Sequence, residues 1–156
     1  MDPVYRRPTW IRRRLVNPLF RYLVLRGRLG QGEQNLMRVL RVRGRRSGRE
    51  FDIPIRVAVY HGQRYVISLL GQTEWARNLR AAGTAQLVLG SAVEAVTAHE
   101  LSTTDKQVFL AWYCEVPEHR LSVRAGLKLD PANPTPDDLA HAARRHPVFR
   151  LDPAAA

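Results

Sequence analysis

The stretch Arg41-Val-Arg-Gly-Arg-Arg-Ser-Gly-Arg-Glu-Phe-Asp-Ile-Pro54 places an arginine-rich turn between two runs with β-strand composition, 37–42 and 53–60. Glycines at 44 and 48 let the backbone turn sharply and approach a ligand closely. Guanidinium groups bind phosphate and carboxylate well, and exposed turn amides can form an anion-binding nest. The pattern therefore predicts a phosphate-binding hairpin. The alternative interpretation is a solvated hairpin tip with an ordinary basic surface.

Positive charge is concentrated in the first third of the chain, which includes this turn. Residues 1–50 contain 14 arginines and three acidic residues, which already equals the net charge of +11. Residues 51–156 contain 11 basic and 11 acidic residues and are neutral. A basic front end favours contact with an anionic partner: a phosphorylated cofactor, an acidic membrane surface or nucleic acid. Arginine far outnumbers lysine, which occurs only at Lys106 and Lys128, and genomic composition bias would give the same preference.

Length and cysteine content limit the class of protein. A chain of 156 residues suits one domain with a sizeable core. Its single cysteine, Cys114, excludes an intramolecular disulfide and favours a cytoplasmic location. The longest early apolar run, 22–25, is too short for a signal peptide or a membrane span.

The N-terminal segment has the composition of a basic amphipathic helix. Residues 8–26 predict a helix in two pieces, which restarts at Asn17-Pro18, an N-cap followed by proline. Residues 27–35, with three glycines, predict a linker. We therefore divide the chain into a basic helical segment, 1–35, and a barrel domain, 36–156. The basic segment is predicted to lie on anionic lipid, to cover a ligand groove or to be a solvated face.

The remaining pattern predicts a mainly β domain with peripheral helices. Strands are expected at 37–43, 50–60, 64–69, 86–89 and 92–101, and a short extended segment at 146–151. Helices are expected at 74–82, at 104–113 and after the capping sequence 135–138, with a helical turn near 119–125. Consecutive hairpins argue against a parallel sheet and for an antiparallel barrel that opens or splits at one side.

Three motifs in this order resemble the deazaflavin-dependent nitroreductase family. They are Arg43-Gly-Arg-Arg-Ser-Gly-Arg49 with Pro54 and the Gly-x-x-Tyr-Val-Ile run at 62–67, then Trp75-Ala-Arg-Asn-Leu-Arg-Ala-Ala-Gly83, then His146-Pro-Val-Phe-Arg-Leu151. The resemblance covers about 37–101 and the tail at 146–151. It implies a split β-barrel similar to those of flavin reductases and flavin mononucleotide-binding proteins. The stretch between Ile67 and Trp75 is shorter than in many family members, so the resemblance does not fix the shape of the acceptor pocket or the identity of the acceptor.

The resemblance also implies a cofactor and a reaction. The cofactor would be reduced coenzyme F-420, a deazaflavin with a phosphate and an acidic glutamate tail, and flavin mononucleotide is the alternative. Its hydride would pass to a small organic acceptor such as a quinone or a nitro compound. The cofactor-binding residues implied are Arg43, Arg45, Arg46, Ser47, Gly48, Arg49, Pro54, Ser68, Leu69, Trp75 and Asn78. Ser68 and Tyr113 are the implied catalytic residues.

Each of these residues also has a structural interpretation. Trp75 and Tyr113 could be core residues, Asn78 an exposed polar helix residue, and Ser68 an ordinary strand end. The sequence shows no nucleophile elbow, no Cys-x-x-Cys and no metal-ligand spacing among its five histidines, so we expect no metal. Hydride transfer needs position and electrostatics more than a strong nucleophile, so this plain composition is compatible with it.

Two other function classes stay open at the level of sequence. One is a non-catalytic carrier of a lipid, flavin or tetrapyrrole on the same barrel, and the other is a basic interaction module. Aromatic residues are not interleaved with the basic run, so we expect no nucleic-acid partner. We expect a monomer or homodimer, cytoplasmic or peripheral at the inner face of the membrane.

Overall fold

The structure, a computed structural model, describes residues 31–32 and 35–155. These residues form two compact units. The barrel unit contains the described residues up to 66, together with 74–99 and 149–155, and the helical unit contains 67–73 and 100–148. The predicted helix at 8–26 lies outside the described residues.

The sheet is antiparallel and closes on itself. Its seven strands are β1 Gln31–Gly32, β2 Asn35–Arg43, β3 Glu50–Tyr60, β4 Gln63–Ile67, β5 Thr84–Leu89, β6 Ala92–Glu100 and β7 Val148–Pro153. The spatial order is β1-β2-β3-β4-β7-β6-β5, and an additional pairing of β2 with β5 closes the barrel through six strands. The predicted mainly β, antiparallel barrel is therefore confirmed.

Strand β2 pairs with a neighbouring strand on each of its two sides. This strand pairs with β3 along its whole length, from Asn35 opposite Ala58 to Arg43 opposite Glu50. On its other side it pairs with β5 over three residues, from Val39 to Arg41. By contrast, β4 pairs with β3 only through three residues of β3, Ala58 to Tyr60. The edge of β3 that faces β4 is therefore unpaired with it over residues 50–57, which is where the barrel splits.

Alternating apolar side chains of these strands fill the interior of the barrel unit. The core cluster consists of Leu40, Val42, Ile55, Val57, Val66, Ala76, Leu79, Ala85, Leu87, Val96, Phe149 and Leu151. Helix α1, Glu74–Ala82, contributes Ala76 and Leu79 to this cluster. The helix ends at Gly83, whose φ of +67° suits a glycine and whose amide donates to the Leu79 carbonyl at 2.8 Å.

Two capped helices form most of the helical unit. Helix α2, Thr103–Glu115, begins at Ser102, whose hydroxyl accepts the Asp105 amide at 3.1 Å. Short helical turns follow from Pro117 to Leu127. Helix α3, Pro136–Arg145, begins with a capping box in which Thr135 and Asp138 each accept the other's backbone amide.

Some predicted boundaries are wrong. The strand predicted at 64–69 ends at Ile67, because Ser68 turns the chain through a hydrogen bond from the Gly71 amide to its carbonyl, 3.2 Å. The last strand runs from Val148 to Pro153 rather than from 146 to 151. Part of the predicted linker is strand, because β1 pairs with β2 as an extra hairpin. The sheet thus begins before the predicted domain boundary at 35/36.

Gly44 is the tightest position in the hairpin between β2 and β3. A Cβ atom there would lie 2.6 Å from Cε2 of Phe51 and 2.9 Å from Oγ of Ser47. We expect Gly44→Ala to lower the free energy of unfolding by about 1–3 kcal/mol, as overpacking does. Urea unfolding measures the effect. In a Phe51→Ala background the cost should shrink, since the half-exposed ring is the main obstacle. Equal costs in both backgrounds would mean that the ring is not the cause.

Candidate functional site

The arginine-rich hairpin forms a closed turn. We call residues 43–49 the basic turn. The Gly44 amide donates to the Arg49 carbonyl at 2.7 Å, and the Gly48 amide donates to the Gly44 carbonyl at 2.9 Å. Gly48 has a φ of +68°, a conformation that glycine adopts without strain. The Ser47 hydroxyl accepts the Arg49 amide at 3.2 Å. Three hydrogen bonds thus fix the backbone of this turn from within.

Asn78 anchors the basic turn to helix α1. Its Oδ1 accepts two hydrogen bonds from one residue, from the Arg45 amide at 3.2 Å and from Arg45 Nη1 at 2.8 Å. The Asn78 side chain is buried, with 7% of its surface exposed. Asn78 is therefore not the exposed polar helix residue that the sequence left open. It holds both the backbone and the guanidinium of Arg45 in place.

Arg45 is also neutralised by a carboxylate from the same helix. Its Nη1 donates to Glu74 Oε2 at 2.9 Å, and the Glu74 side chain remains 50% exposed. Glu74 makes a longer ion pair with Arg77, 3.6 Å away on the helix surface. The hydrogen bond from Arg45, with the nearby charges of Arg77 and Arg46, lowers the pKa of the Glu74 carboxyl below its ordinary value.

The other cations of the basic turn have no such counterion. Arg43, Arg46 and Arg49 are exposed, and among the described residues none of them makes an ion pair with a carboxylate. Within the same part of the chain, the amides of Arg46 and Ser47 make no hydrogen bond. The turn therefore presents three positive side chains and two unsatisfied backbone donors to solvent. This donor set suits a phosphate or carboxylate ligand.

Trp75 and Pro54 also belong to the barrel unit. Trp75 is partly buried on α1, packs against the core, and has its ring centroid 6.4 Å from that of Phe149. Its packing fits the core interpretation, while its partial exposure leaves room for a ligand contact. Pro54 stands opposite Val39 in the ladder between β2 and β3. It lies on the stretch of β3 that β4 does not reach, where a missing amide donor is tolerated.

Ser68 and Leu69 lie in the helical unit. Ser68 is 1% exposed, and its hydroxyl donates to the Gly71 carbonyl at 2.6 Å and contacts the Thr73 hydroxyl at 2.8 Å. Its amide donates to the Pro147 carbonyl at 2.9 Å. Leu69 packs so closely on Gly126 that a Cβ at 126 would lie 2.9 Å from the Leu69 Cβ. Ser68 therefore fixes the shape of the 68–73 turn.

His146 completes this polar network. Its Nδ1 lies 3.0 Å from the Ser68 carbonyl. A carbonyl only accepts, so Nδ1 carries the proton, and Nε2 is the unprotonated nitrogen of the neutral ring. Burial lowers the pKa of His146, the hydrogen bond to Ser68 acts in the opposite direction, and the positive charges of Arg145 and Lys106 lower it further. The neutral imidazole is thus the native form.

Tyr113, the second predicted catalytic residue, lies in an aromatic core. It is 1% exposed on α2, and its ring stacks on His119 with centroids 3.8 Å apart and an interplanar angle of 14°. The rings of Phe109 and Trp112 pack beside it. Such enclosure gives contact with an acceptor no geometric support, and the core interpretation of Tyr113 fits instead.

Two residues of these networks were missed from the sequence. Glu74 was seen only as the start of a helix, although its position four residues before Asn78 places both on one helical face. His146 was placed in the third family motif and at the start of an extended segment, without a role of its own. Nothing local indicates its bond to Ser68, 78 residues away in the chain. Among the described residues, no group of three His, Cys, Asp or Glu could hold a metal ion. In the same residues no helix is long and apolar enough to cross a membrane.

Comparison with known protein families assigns this chain to one family. The model of the F420H(2)-dependent quinone reductase family matches residues 6–120. This match spans most of the chain. The chain belongs to this family. It is therefore an oxidoreductase that depends on reduced F-420, as the sequence resemblance indicated.

Solved structures support the fold. One is described as an F420-H2-dependent reductase (FDR-A); it is 18% identical, covers 74% of this chain and 93% of its own, and has a TM-score of 0.51. Another, a protein of unknown function from Agrobacterium tumefaciens, is 13% identical, covers 99% of this chain and 60% of its own, and has a TM-score of 0.52. At these identities the likeness concerns the fold alone. A search of curated proteins gives no significant match.

The buried, neutral His146 should make stability depend on pH. In the unfolded chain the imidazole takes up a proton near its ordinary pKa of 6.5, whereas the folded protein resists protonation. Stability should be fully present above about pH 6.5 and should fall as the pH drops below that value. His146→Asn keeps a donor for the Ser68 carbonyl and should flatten this slope. Urea unfolding between pH 5 and 8 measures it, with His61→Asn, at an exposed turn with φ 49°, as the matched control. An unchanged slope in His146→Asn would contradict the assignment.

Proposed function

We propose that the basic turn and Asn78 bind the anionic end of reduced F-420, and that the enzyme delivers its hydride to a quinone-type acceptor. The observation that carries this proposal is the double hydrogen bond from Arg45 to the buried Asn78. It fixes a turn on which three arginines and two amides have no partner within the described chain. A rigid set of unsatisfied donors is what recognition of an anion requires.

The cofactor's chemistry matches these donors. F-420 has a phosphate and a glutamate tail, and both are ligands for guanidinium groups and turn amides. Gly44 lets the turn close against the Phe51 ring, and Gly48 supplies the positive φ that the turn needs, so both glycines set the shape in which the amides of Arg46 and Ser47 face solvent. We therefore assign Arg43, Arg46, Ser47 and Arg49 to direct binding, and Gly48 and Asn78 to holding the turn in its binding shape. Arg45 has both roles, because its guanidinium is held by Asn78 and also faces the anion.

The chain's own residues bind and orient rather than react. When bound, reduced F-420 supplies the hydride. Selecting and aligning a flat acceptor beside the cofactor then accounts for most of the protein's contribution. The family name favours a quinone over a nitro compound as the acceptor. Steady-state reduction of a soluble quinone and a nitroaromatic, compared by kcat/KM, distinguishes the two.

Further assignments rest on the family resemblance. Ser68 and Leu69 would lie beside the deazaflavin ring, with Ser68 acting through its backbone and the shape of its turn, since its hydroxyl is already hydrogen-bonded. Trp75 would pack beside the cofactor, and Pro54 would shape the edge of β3.

Flavin mononucleotide is the competing cofactor, and parallel titrations with both cofactors compare their affinities for the protein. The assembly, monomer or homodimer, is decided by the mass in solution.

Arg46 and Asn78 should differ in how they affect binding and folding. Arg46→Ala should weaken F-420 binding about tenfold and leave stability unchanged, because its exposed guanidinium has no partner in the described chain. Asn78→Ala should weaken binding and also lower the free energy of unfolding by about 1–3 kcal/mol, since two donors of Arg45 lose their acceptor. Fluorescence titration and urea unfolding report the two effects.

The matched control for Arg46→Ala is Arg144→Ala, which removes one exposed positive charge from α3 in the helical unit. It should bind F-420 like the wild type. If Arg46→Ala and Arg144→Ala have the same affinity as the wild type, the basic turn does not bind the cofactor. If Asn78→Ala loses stability but keeps its affinity, Asn78 is structural only.

We further propose that the basic segment 8–26 brings the enzyme to the inner face of the membrane, where a lipid-soluble quinone would be found. Five arginines stand between and beside its apolar residues Trp10, Ile11, Leu15, Leu19, Phe20 and Leu23. Each arginine near an anionic surface contributes about 1 kcal/mol of attraction. Co-sedimentation with anionic vesicles should decrease with salt and with Arg12, Arg13 and Arg14 changed to Gln. Equal binding to neutral and anionic vesicles, or none to either, would contradict this placement.

A further inference from the structure

Glu74 forms an ion pair with Arg45, the arginine of the basic turn that Asn78 of helix α1 also binds. Arg45 Nη1 donates to two acceptors of different character, the neutral and buried Asn78 Oδ1 and the charged, half-exposed Glu74 Oε2. Asn78 is fixed by burial and by its second bond to the Arg45 amide. Among the residues that the structure describes, the Glu74 carboxylate has only charged partners, Arg45 and the exposed Arg77. Of the two acceptors, Glu74 is the one that can leave.

The carboxylate of Glu74 has the same chemistry as the anions that the turn is proposed to bind. It places one negative charge among Arg45, Arg46 and Arg77, the cations that determine its ionisation. A phosphate or carboxylate on the basic turn would compete with it for Arg45 and be repelled by it. Two unit charges about 4 Å apart repel by about 1 kcal/mol even in water, which is about a fivefold effect on affinity.

Resting on the proposed function, we propose that Glu74 is a specificity-determining residue: it acts as an internal competitor whose carboxylate leaves Arg45 when the anionic end of the cofactor binds. The exchange leaves the charge on Arg45 balanced in both states. Because Glu74 stays on the same helix after it releases Arg45, its negative charge remains near the bound anion and opposes it. The affinity of the enzyme for tailed cofactors is thereby held below the value that the arginines alone would give.

The opposite role would be that Glu74 orients Arg45 for binding. Asn78 already fixes the Arg45 amide and Nη1, so orientation does not require a second acceptor. The two roles predict opposite signs for removal of the charge. A competitor's removal strengthens binding of the anionic ligand, whereas removal of an orienting group weakens it.

The test uses the full chain and three variants. Glu74→Gln removes the charge and keeps a side chain of the same shape, Glu74→Asp keeps the charge, and Glu115→Gln removes an exposed carboxylate at the end of α2. The ligands are oxidised F-420 and the deazaflavin chromophore with its ribityl chain but no phosphate or glutamate. Dissociation constants are measured by fluorescence titration at constant salt. In parallel, the Glu74 carboxyl is titrated by NMR with and without F-420.

We expect Glu74→Gln to bind F-420 about fivefold more tightly than the wild type. It should bind the tail-free chromophore unchanged. Glu74→Asp and Glu115→Gln should stay near the wild type. In the wild type, F-420 should raise the pKa of the Glu74 carboxyl, because the ligand removes Arg45 from it.

Other results overturn the inference. Weaker or unchanged binding of F-420 by Glu74→Gln excludes competition, and so does equal tightening for both ligands. A Glu74 carboxyl that titrates identically with and without F-420 shows that it never leaves Arg45. The proposed function fails separately if Arg46→Ala binds F-420 like the wild type, because the basic turn then does not hold the cofactor. If Arg46→Ala weakens binding but Glu74→Gln does not tighten it, the proposed function stands and this inference alone fails.

Discussion

The structure of the site depends on one buried amide oxygen. Asn78 Oδ1 receives both the backbone amide and the guanidinium of Arg45. Four arginines within seven residues repel one another, and this repulsion opposes an ordered hairpin tip. A buried acceptor that would be left unsatisfied without its donors makes release of the turn costly. The anchor therefore connects the most highly charged segment of the described chain to a helix packed on the barrel core.

The basic turn is also continuous with the strand pairing of the barrel unit. Strands β2 and β3 pair over nine residues, up to Arg43 opposite Glu50, so the base of the basic turn is set by a continuous ladder. Beyond the pair of Arg41 with Asp52, whose charged groups meet at 2.8 Å, the chain leaves the sheet within two residues. Gly44 is needed there because the Phe51 ring covers its Cα. A rigid ladder on one side and Asn78 on the other leave the turn little freedom.

Much of this could be predicted from sequence, and the failures have physical causes. The turn was predictable because Gly44 and Gly48 bracket it, and the start of α3 because Thr135 and Asp138 form a capping box. The barrel followed from hairpin spacing and from family motifs. The burial of Asn78 was not predictable, because amphipathic periodicity does not say which polar residue finds a partner across 33 residues of chain. The same holds for His146, whose acceptor is a backbone carbonyl with no sequence signature.

Electrostatics at this turn would also couple the proposed binding of an anion to folding. Of its four arginines, Arg45 alone has a carboxylate partner among the described residues, and the other three keep their charge in water. Their mutual repulsion is a cost of the folded state that solvent and salt reduce only in part. An anion that binds them removes this cost and binds only the folded chain. Its stabilisation therefore grows with ligand concentration as RT ln(1 + [L]/Kd). If the basic turn binds the cofactor as proposed, the same charges oppose folding in the free protein and favour it in the complex.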